Sequence, residues 1–267
     1  MKNFETEGSV LYSGRNTIKL INIDGKDVVV KRFKKPSFFQ KIVYTFFRKN
    51  KAYRSYYNAI SLQGRGVDTP KPIKYIETKK CGLIDYCYYL SEYLPLPPME
   101  DWSDRDDWDK DLAVQFARFV AYLHTQGILH HDLNDTNVRY DPSLRDSLET
   151  VHYPLPIDET SFSNRNYSLL LKHVPLFTLI DINRMDFYPT GTEVPFKEGL
   201  ENLTRFTGRM DLFEFVVREY ARVLRLPIEK TVEQAIRIKK KHDKNWVRRK
   251  RFTGFFKQLF KSKSTKS

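Results

Sequence analysis

The chain has 267 residues, of which 40% are apolar and 14% aromatic. It is therefore long enough to bury one large core or two small ones, and its composition excludes a disordered chain. Its two cysteines, Cys81 and Cys87, are too few for a disulfide framework and indicate small core residues in a reducing compartment. The sequence has no apolar run long enough to span a bilayer and no apolar secretory segment near Met1, so we expect a cytoplasmic or peripheral protein.

The net charge of +13 is distributed unevenly along the chain. No acid lies between Asp27 and Asp68, a stretch with ten basic residues from Lys31 to Arg65. From Arg237 to Ser267 there are thirteen Lys or Arg residues and a single acid, Asp243. The remainder of the chain is acidic on balance. Two basic regions on such a protein predict an anionic partner, which could be a membrane surface, nucleic acid or a phosphorylated glycan.

Residues 4 to 33 predict a three-stranded antiparallel start with turns at Ser13–Asn16 and at Asp24-Gly25. The first turn could place backbone N–H groups over a phosphate, because Gly14 allows a close approach. Lys31 ends the apolar run Val28-Val29-Val30, where a lysine could bind phosphates or could simply be solvated.

The next segment, Phe38 to Lys49, has aromatic and apolar residues at helical spacing opposite basic ones. This pattern fits a helix packed on its own domain, and it fits equally a helix lying on anionic lipid. A second helix is predicted over Lys51 to Gln63, ending at Gly64.

Two further strands are predicted at Ile73–Ile76 and Asp85–Tyr93, and prolines follow them closely. A β-rich run that breaks into a proline-marked connector suggests a boundary between lobes, where pockets are common. We therefore place an N-terminal lobe at residues 1–94.

A helix is predicted from Asp106, with Gly127 at its end. The preceding acids fit a helix N-terminus better than a calcium loop. A polar loop then follows the short strand Ile128-Leu129 and carries Asp132 and Asn137 five residues apart. Such a loop can hold a carboxylate against a reacting hydroxyl beside a metal-binding amide, although it could also be an ordinary polar turn. The pair His130-His131 finds no other histidine at a supporting spacing, which argues against zinc.

The rest of the chain predicts a polar insertion at residues 141–168 and an apolar strand that ends in Asp181. Helices are predicted over Leu212–Leu224 and over Thr231–Lys241, the second opening with a capping box at Thr231. The C-terminal lobe is thus placed at 95–245, followed by a basic amphipathic tail at 246–267.

Four features occur in a fixed order: Lys31, the connector Glu92–Leu94, the loop from Asp132 to Asn137, and Asp181. Their order and intervals resemble the protein-kinase-like fold. The wording of the loop, His130-x-Asp132-Leu133-Asn134-x-x-Asn137, together with Leu179-Ile180-Asp181 and the nearby Arg184, resembles the lipopolysaccharide core kinases that phosphorylate Kdo or heptose. Ordinary protein kinases would have Arg at His131, Lys at Asn134 and Phe-Gly after Asp181.

This resemblance covers about Gly8 to Asp186 and implies an α+β, bilobal protein-kinase-like fold with a β-rich N-lobe and a mainly helical C-lobe. It implies ATP and Mg²⁺ as cofactors and assigns a role to each matching position. Asp132 would be the catalytic base, Asn137 and Asp181 would hold Mg²⁺, and Lys31 would hold the phosphates of ATP. The residues implied to contact the rest of the nucleotide are Ser13 and Gly14 in the phosphate turn, and Glu92 and Leu94 at the adenine.

One departure from the kinase pattern concerns Lys31. Kinases pair this lysine with a glutamate on the following helix, but here the expected neighbourhood, Ser55 to Tyr57, offers only hydroxyls. Either Lys31 has another partner, such as Asp181, or the nucleotide site is weakened, as in a pseudokinase.

The favoured hypothesis is a kinase of a sugar hydroxyl in the inner core of lipopolysaccharide, Kdo before heptose, acting at the cytoplasmic membrane face. Its partners would be a lipid-linked anionic glycan of the Kdo-lipid A type and the anionic membrane surface. The alternatives are a protein or small-molecule kinase of the same fold and a non-catalytic protein that binds membrane or nucleic acid. Nucleic acid is disfavoured because the aromatics of the tail lie on one helical face instead of interleaving with the charges.

Overall fold

The computed structural model describes residues 4–144 and 176–264, with side chains up to Arg248. Its N-terminal part is a five-stranded antiparallel sheet with strand order β1-β2-β3-β5-β4. The strands are β1 (Ser9–Ser13), β2 (Thr17–Ile23), β3 (Lys26–Arg32), β4 (Pro72–Lys80) and β5 (Leu83–Glu92). The three-stranded start is thus confirmed, and both later strands are longer than predicted.

The alternation of strand β3 decides which side chains face inward. Val28 and Val30 are buried in a small cluster on one face of the sheet with Tyr88 and Leu90. The residues between and after them therefore point to the opposite face, so Lys31 is directed towards the helical part of the molecule.

The connection from β3 to β4 carries two helical segments. Helix α1 (Phe38–Ile42) continues into a π-helical turn (Val43–Phe47), and α2 (Lys51–Gly64) begins at the N-cap Asn50. The predicted helix over residues 38–49 therefore exists only as far as Phe47. Its phenylalanines are exposed, while its other face contacts β5 through the ion pair of Lys41 with Asp85 and the hydrogen bond from the Ile84 amide to Thr45.

The C-terminal part is mainly helical and holds the largest core, built around α4, whose Phe116, Phe119 and Val120 are buried. The helices are α3 (Glu100–Ser103), α4 (Lys110–Thr125), α5 (Phe196–Leu203), α6 (Met210–Val223) and α7 (Ile228–Ser264). This arrangement of an antiparallel sheet followed by helices confirms the predicted α+β fold class.

Two short antiparallel ladders lie between the sheet and the helices. Strand β6 (Ile128–His130) pairs with β9 (Met185–Phe187), and β7 (Val138–Tyr140) pairs with β8 (Phe177–Leu179). The loop after β6 carries Asp132, and the segment after β8 carries Asp181. The two pairings therefore bring together residues that are nearly fifty positions apart.

Several sequence-based boundaries need correction. Helix α4 begins at Lys110, because Asp109 is its N-cap and accepts hydrogen bonds from the amides of Asp111 and Leu112. The predicted capping box at Thr231 is wrong, since the helix already begins at Ile228 and the Thr231 amide donates to the carbonyl of Pro227. The helix predicted to end at Lys241 continues through the tail to Ser264.

The tail aromatics beyond Arg248 have side chains outside the described residues, and so does most of the predicted insertion at 141–168. None of the helices in the described chain is long and apolar enough to cross a bilayer.

Candidate active site

A cavity of about 1080 Å³ lies between the sheet and the helical part. The sequence-predicted residues in its wall are Lys31, Glu92, Leu94, Asp132, Asn137 and Asp181. Of the predicted phosphate turn, Asn16 reaches the wall together with Leu11 and Tyr12 from strand β1. Ser13 ends β1 and Gly14 follows it in the turn, and neither lines the cavity. The fold thus brings six of the eight predicted site residues to one cavity.

Lys31 and Asp181 form an ion pair, with 2.6 Å between Nζ and Oδ1. Burial by itself would raise the pKa of Asp181, but the Lys31 ammonium and the amide of Asn183 outweigh it and lower that pKa. Asp181 is therefore a carboxylate at neutral pH. The acid that pairs with Lys31 comes from the segment after β8, and helix α2 provides none.

The geometry of Asp181 suits a metal ligand. Its φ angle is 52°, a left-handed conformation that is strained for a residue with a side chain and is found more often at functional sites. Lys31 and Asn183 both bind Oδ1, the latter at 2.5 Å, which leaves Oδ2 without a hydrogen-bond partner among the described residues. The backbone just before Asp181 is held in place by a hydrogen bond from Thr69 Oγ1 to the carbonyl of Leu179.

The donor set fits magnesium better than a transition metal. Asn137 and Asp181 offer oxygen atoms in the cavity wall, and Mg²⁺ needs only one or two such protein ligands when phosphates and water complete its octahedron. No group of three or more His, Cys, Asp or Glu residues able to hold a metal occurs within residues 4–144 and 176–264. A preformed zinc or calcium cage is thus absent from that part of the chain.

The loop with Asp132 is held by hydrogen bonds on both sides. The side-chain amide of Asn137 donates to the carbonyl of Asp132 at 2.9 Å, which fixes the orientation of the asparagine. Asn134 Oδ1 accepts from the Asn137 backbone amide and from Thr136, closing the turn. Arg184 Nη1 donates to both oxygens of Asp132, at 3.0 and 3.1 Å. The arginine therefore holds the carboxylate in a fixed orientation.

His130 connects the two halves of the site from inside the core. It is fully buried, its Nδ1 accepts from the backbone amide of Asp132 at 3.1 Å, and its Nε2 lies 3.1 Å from the carbonyl of Ile180. This geometry requires a neutral ring with the proton on Nε2. Burial lowers the pKa of His130, which keeps it neutral. One imidazole therefore couples the position of Asp132 to that of Asp181.

A second buried layer supports His130. Asn202 of α5 donates to the His130 carbonyl at 2.7 Å, and its Oδ1 lies 3.1 Å from Nε2 of His124. The other ring nitrogen of His124 lies 2.9 Å from the hydroxyl of Tyr220. Burial lowers the pKa of His124 to about 4, so this ring is also neutral. Sequence reasoning missed Asn202 and Tyr220, because neither lies in a motif.

The opposite end of the cavity is formed by the connector after β5. The backbone amides of Glu92 and Tyr93 already donate to the carbonyls of Lys71 and Asp27, at 3.0 and 3.2 Å. The amide of Leu94 has no such partner among the described residues. A purine bound here would therefore find its backbone donor at Leu94.

Helix α2 contacts the site without a glutamate. Ser55 lies in the cavity wall, and Asn58 Nδ2 donates to the carbonyl of Ile182 at 2.6 Å. This neutral hydrogen bond attaches α2 to the segment that follows Asp181.

Comparison with known proteins gives a result for the fold only. No protein-family model matches the chain, and no curated protein matches its sequence. Among solved structures, one described as WaaP in complex with acyl carrier protein matches with a TM-score of 0.53, covering 89% of this chain and 88% of that one. The chain has a kinase-like fold of the type seen in WaaP. The two sequences are 15% identical, so the match establishes the architecture alone.

Proposed function

We propose that this protein is an ATP-dependent kinase that phosphorylates a sugar hydroxyl of the lipopolysaccharide inner core, with Kdo as the first candidate acceptor and heptose as the second. The observation that carries the proposal is the meeting of Lys31, Asp132, Asn137 and Asp181 in the wall of one cavity. The fold shared with WaaP and the sequence motif of the Asp132 loop also support phosphoryl transfer to a hydroxyl.

In the proposed reaction, Asp132 accepts the proton of the acceptor hydroxyl as its oxygen forms a bond to the γ-phosphorus of ATP. The bond between that phosphorus and the bridging oxygen of ADP breaks. A positioned base of this kind contributes about 10²- to 10⁴-fold in rate. Arg184 prevents the carboxylate of Asp132 from rotating away before the hydroxyl arrives.

The phosphates of the nucleotide would replace Asp181 as the partner of Lys31. Lys31 is placed to exchange its ion pair with Asp181 for one with the ATP phosphates, after which Oδ1 of Asp181 would accept only from Asn183. Asn137 and Asp181 would then hold Mg²⁺, which supplies neutralisation of the phosphate charge. Leu94 would bind the adenine through its amide.

An exposed surface beside α2 supports a membrane-associated acceptor. The side chains of the phenylalanine cluster, Phe38, Phe39, Phe46 and Phe47, are 65% to 81% exposed. The exposed cations Arg48 and Lys49 follow directly. Aromatic residues next to cations favour the interface of an anionic bilayer, where each Lys or Arg contributes about 1 kcal/mol. ATP would place such a site on the cytoplasmic face.

The direct test is mass spectrometry of Kdo-bearing and heptose-bearing lipid A after incubation with the purified protein, ATP and Mg²⁺. We expect a gain of one phosphate on the Kdo acceptor and no gain with Asp132→Asn. Phosphorylation of the protein alone would favour a protein kinase of the same fold. Nucleotide binding without any transfer would favour the weakened, pseudokinase-like alternative.

A further inference from the structure

The N-terminal half of helix α2 presents one polar face to the active site. Residues 51, 54, 55 and 58 recur at helical spacing and therefore share a face. Ser55 lies in the cavity wall, and Asn58 is hydrogen bonded to Ile182. The same face, one turn towards the helix start, carries Lys51 and Arg54. These two cations are thus directed towards the segment that contains Asp181 and Arg184.

Neither cation forms an ion pair with the residues that the structure describes. The Lys51 ammonium makes no hydrogen bond or ion pair within that part of the chain, although the residue is half-buried. Nε of Arg54 is buried and has no hydrogen-bond partner there. The sequence from Val28 to Val67 contains no acid that could pair with them. Leaving charged donors half-buried and unpaired is costly unless a ligand pairs with them.

Further positive groups surround this pair. Burial lowers the pKa of Lys51, and the charges of Arg15 and Arg54 lower it further, against the raising effect of Asp181. Burial also lowers the pKa of Arg54, and Arg48 and Arg184 add to that. The first turn of α2 has no acidic residue to complement the helix dipole. The positive charge is therefore concentrated here, and an anion would relieve the repulsion.

The position of the cluster selects between the two substrates. Arg184 is bound to Asp132, the residue that the acceptor hydroxyl must reach. Arg48, on the other side, directly follows the phenylalanine cluster. Arg48, Arg54 and Arg184 thus extend from the exposed aromatic surface to Asp132. Lys51 lies beside them within the influence of Asp181, whereas the adenine end of the cavity lies at Glu92 and Leu94. An acceptor approaching Asp132 from a membrane would pass along this basic surface.

We propose that Lys51 and Arg54, together with Arg184, bind an anionic group of the acceptor, a carboxylate or a phosphate monoester, while its neighbouring hydroxyl reaches Asp132. This inference rests on the proposed kinase function and adds to it the residues that recognise the acceptor. Each cation contributes a charge-assisted hydrogen bond, so removing two of them weakens anion binding by more than about tenfold.

The test uses the full chain with Mg²⁺ and a saturating non-hydrolysable ATP analogue, and it titrates inorganic phosphate by calorimetry. We expect the wild type to bind phosphate, and Lys51→Met with Arg54→Gln to bind it at least about tenfold more weakly. The affinity for the ATP analogue should stay within about twofold, and this measurement also reports correct folding. Lys79→Gln with Lys80→Gln removes the same charge from strand β4 and should leave phosphate binding unchanged.

The single variant Lys51→Met, which keeps a good helix former at the start of α2, provides a milder version of the same test. Once an acceptor that the protein phosphorylates is identified, its KM should be at least about tenfold higher for the Lys51→Met variant than for the wild type. The KM for ATP should be unchanged. Absence of phosphate binding, equal binding by wild type and double variant, or a matching loss of nucleotide affinity would overturn the inference. Failure to phosphorylate any acceptor would instead contradict the proposed function, because the phosphate titration does not depend on catalysis.

Discussion

The helical part and helix α2 differ in how the polar groups beside the cavity are paired. On the side of the helical part, Asp132, Asn137 and His130 each have a partner, and Asn202 supports them from the core. On the α2 side, Lys51 and Nε of Arg54 have none among the described residues. Fully paired groups fix a geometry before any ligand arrives, as a catalytic base requires. Unpaired, half-buried charges can instead form their charge-assisted hydrogen bonds with a ligand when it binds.

The largest effect should come from Asp132, the proposed catalytic base. Asp132→Asn keeps the shape of the side chain and removes the base, so we expect kcat to fall by about 10² to 10⁴. The affinity for the ATP analogue should be preserved, because Lys31 and Asp181 are untouched. Steady-state kinetics with the acceptor as the varied substrate would measure this fall in kcat. A near wild-type kcat in the Asp132→Asn variant would show that Asp132 is not the base.

The buried support of the Asp132 loop should matter next for stability. Asn202→Leu leaves the His130 carbonyl and one nitrogen of His124 without partners, so we expect a loss of about 3 kcal/mol in the free energy of unfolding. Urea denaturation monitored by circular dichroism would measure it. Asn58→Leu is the informative comparison, because it breaks a single half-buried bond to Ile182 and should cost less.

The neutral histidines predict a pH dependence of stability. The pKa of His124 is about 4 in the folded chain, below its unfolded value of about 6.5. The unfolded chain therefore binds the proton first as pH falls, and stability is lost below pH 6.5. Between pH 6.5 and 5 this residue should account for about 2 kcal/mol, with His130 acting in the same direction. Denaturation of wild type and His124→Asn at both pH values isolates the contribution, and parallel losses in the two proteins would contradict it.

The smallest effect on stability is expected for the phenylalanine cluster beside α2. Phe39 and Phe47 are 79% and 81% exposed, so replacing both by serine should leave the unfolding free energy within about 0.5 kcal/mol. If the cluster inserts into a bilayer, flotation with vesicles containing phosphatidylglycerol should weaken by at least about tenfold. Ile73→Ser removes an exposed apolar side chain from β4 and serves as control. Unchanged flotation of the double variant would remove the membrane role of this surface.

The local patterns predicted much of the framework. Alternation and turn residues gave the first three strands, and helical periodicity gave α2 and α6 to within a few residues. The resemblance implied eight site residues, six of which line the cavity, whereas Ser13 and Gly14 do not. Periodicity did not show that the helix beginning at Ile228 continues into the basic tail, because residues 242–245 are all polar and no apolar stripe joins the two segments.

What the sequence determined by itself was the order of the chemical groups: a strand lysine, a connector, a loop with a carboxylate, and an acid after a short strand. Pairing was decided only by the tertiary structure. Lys31 meets Asp181 across 150 positions and Arg184 meets Asp132 across 52, because the ladders β6–β9 and β7–β8 bring their loops together. The physical reason is that local spacing limits only neighbouring residues, whereas ion pairs between distant segments depend on how the whole chain packs.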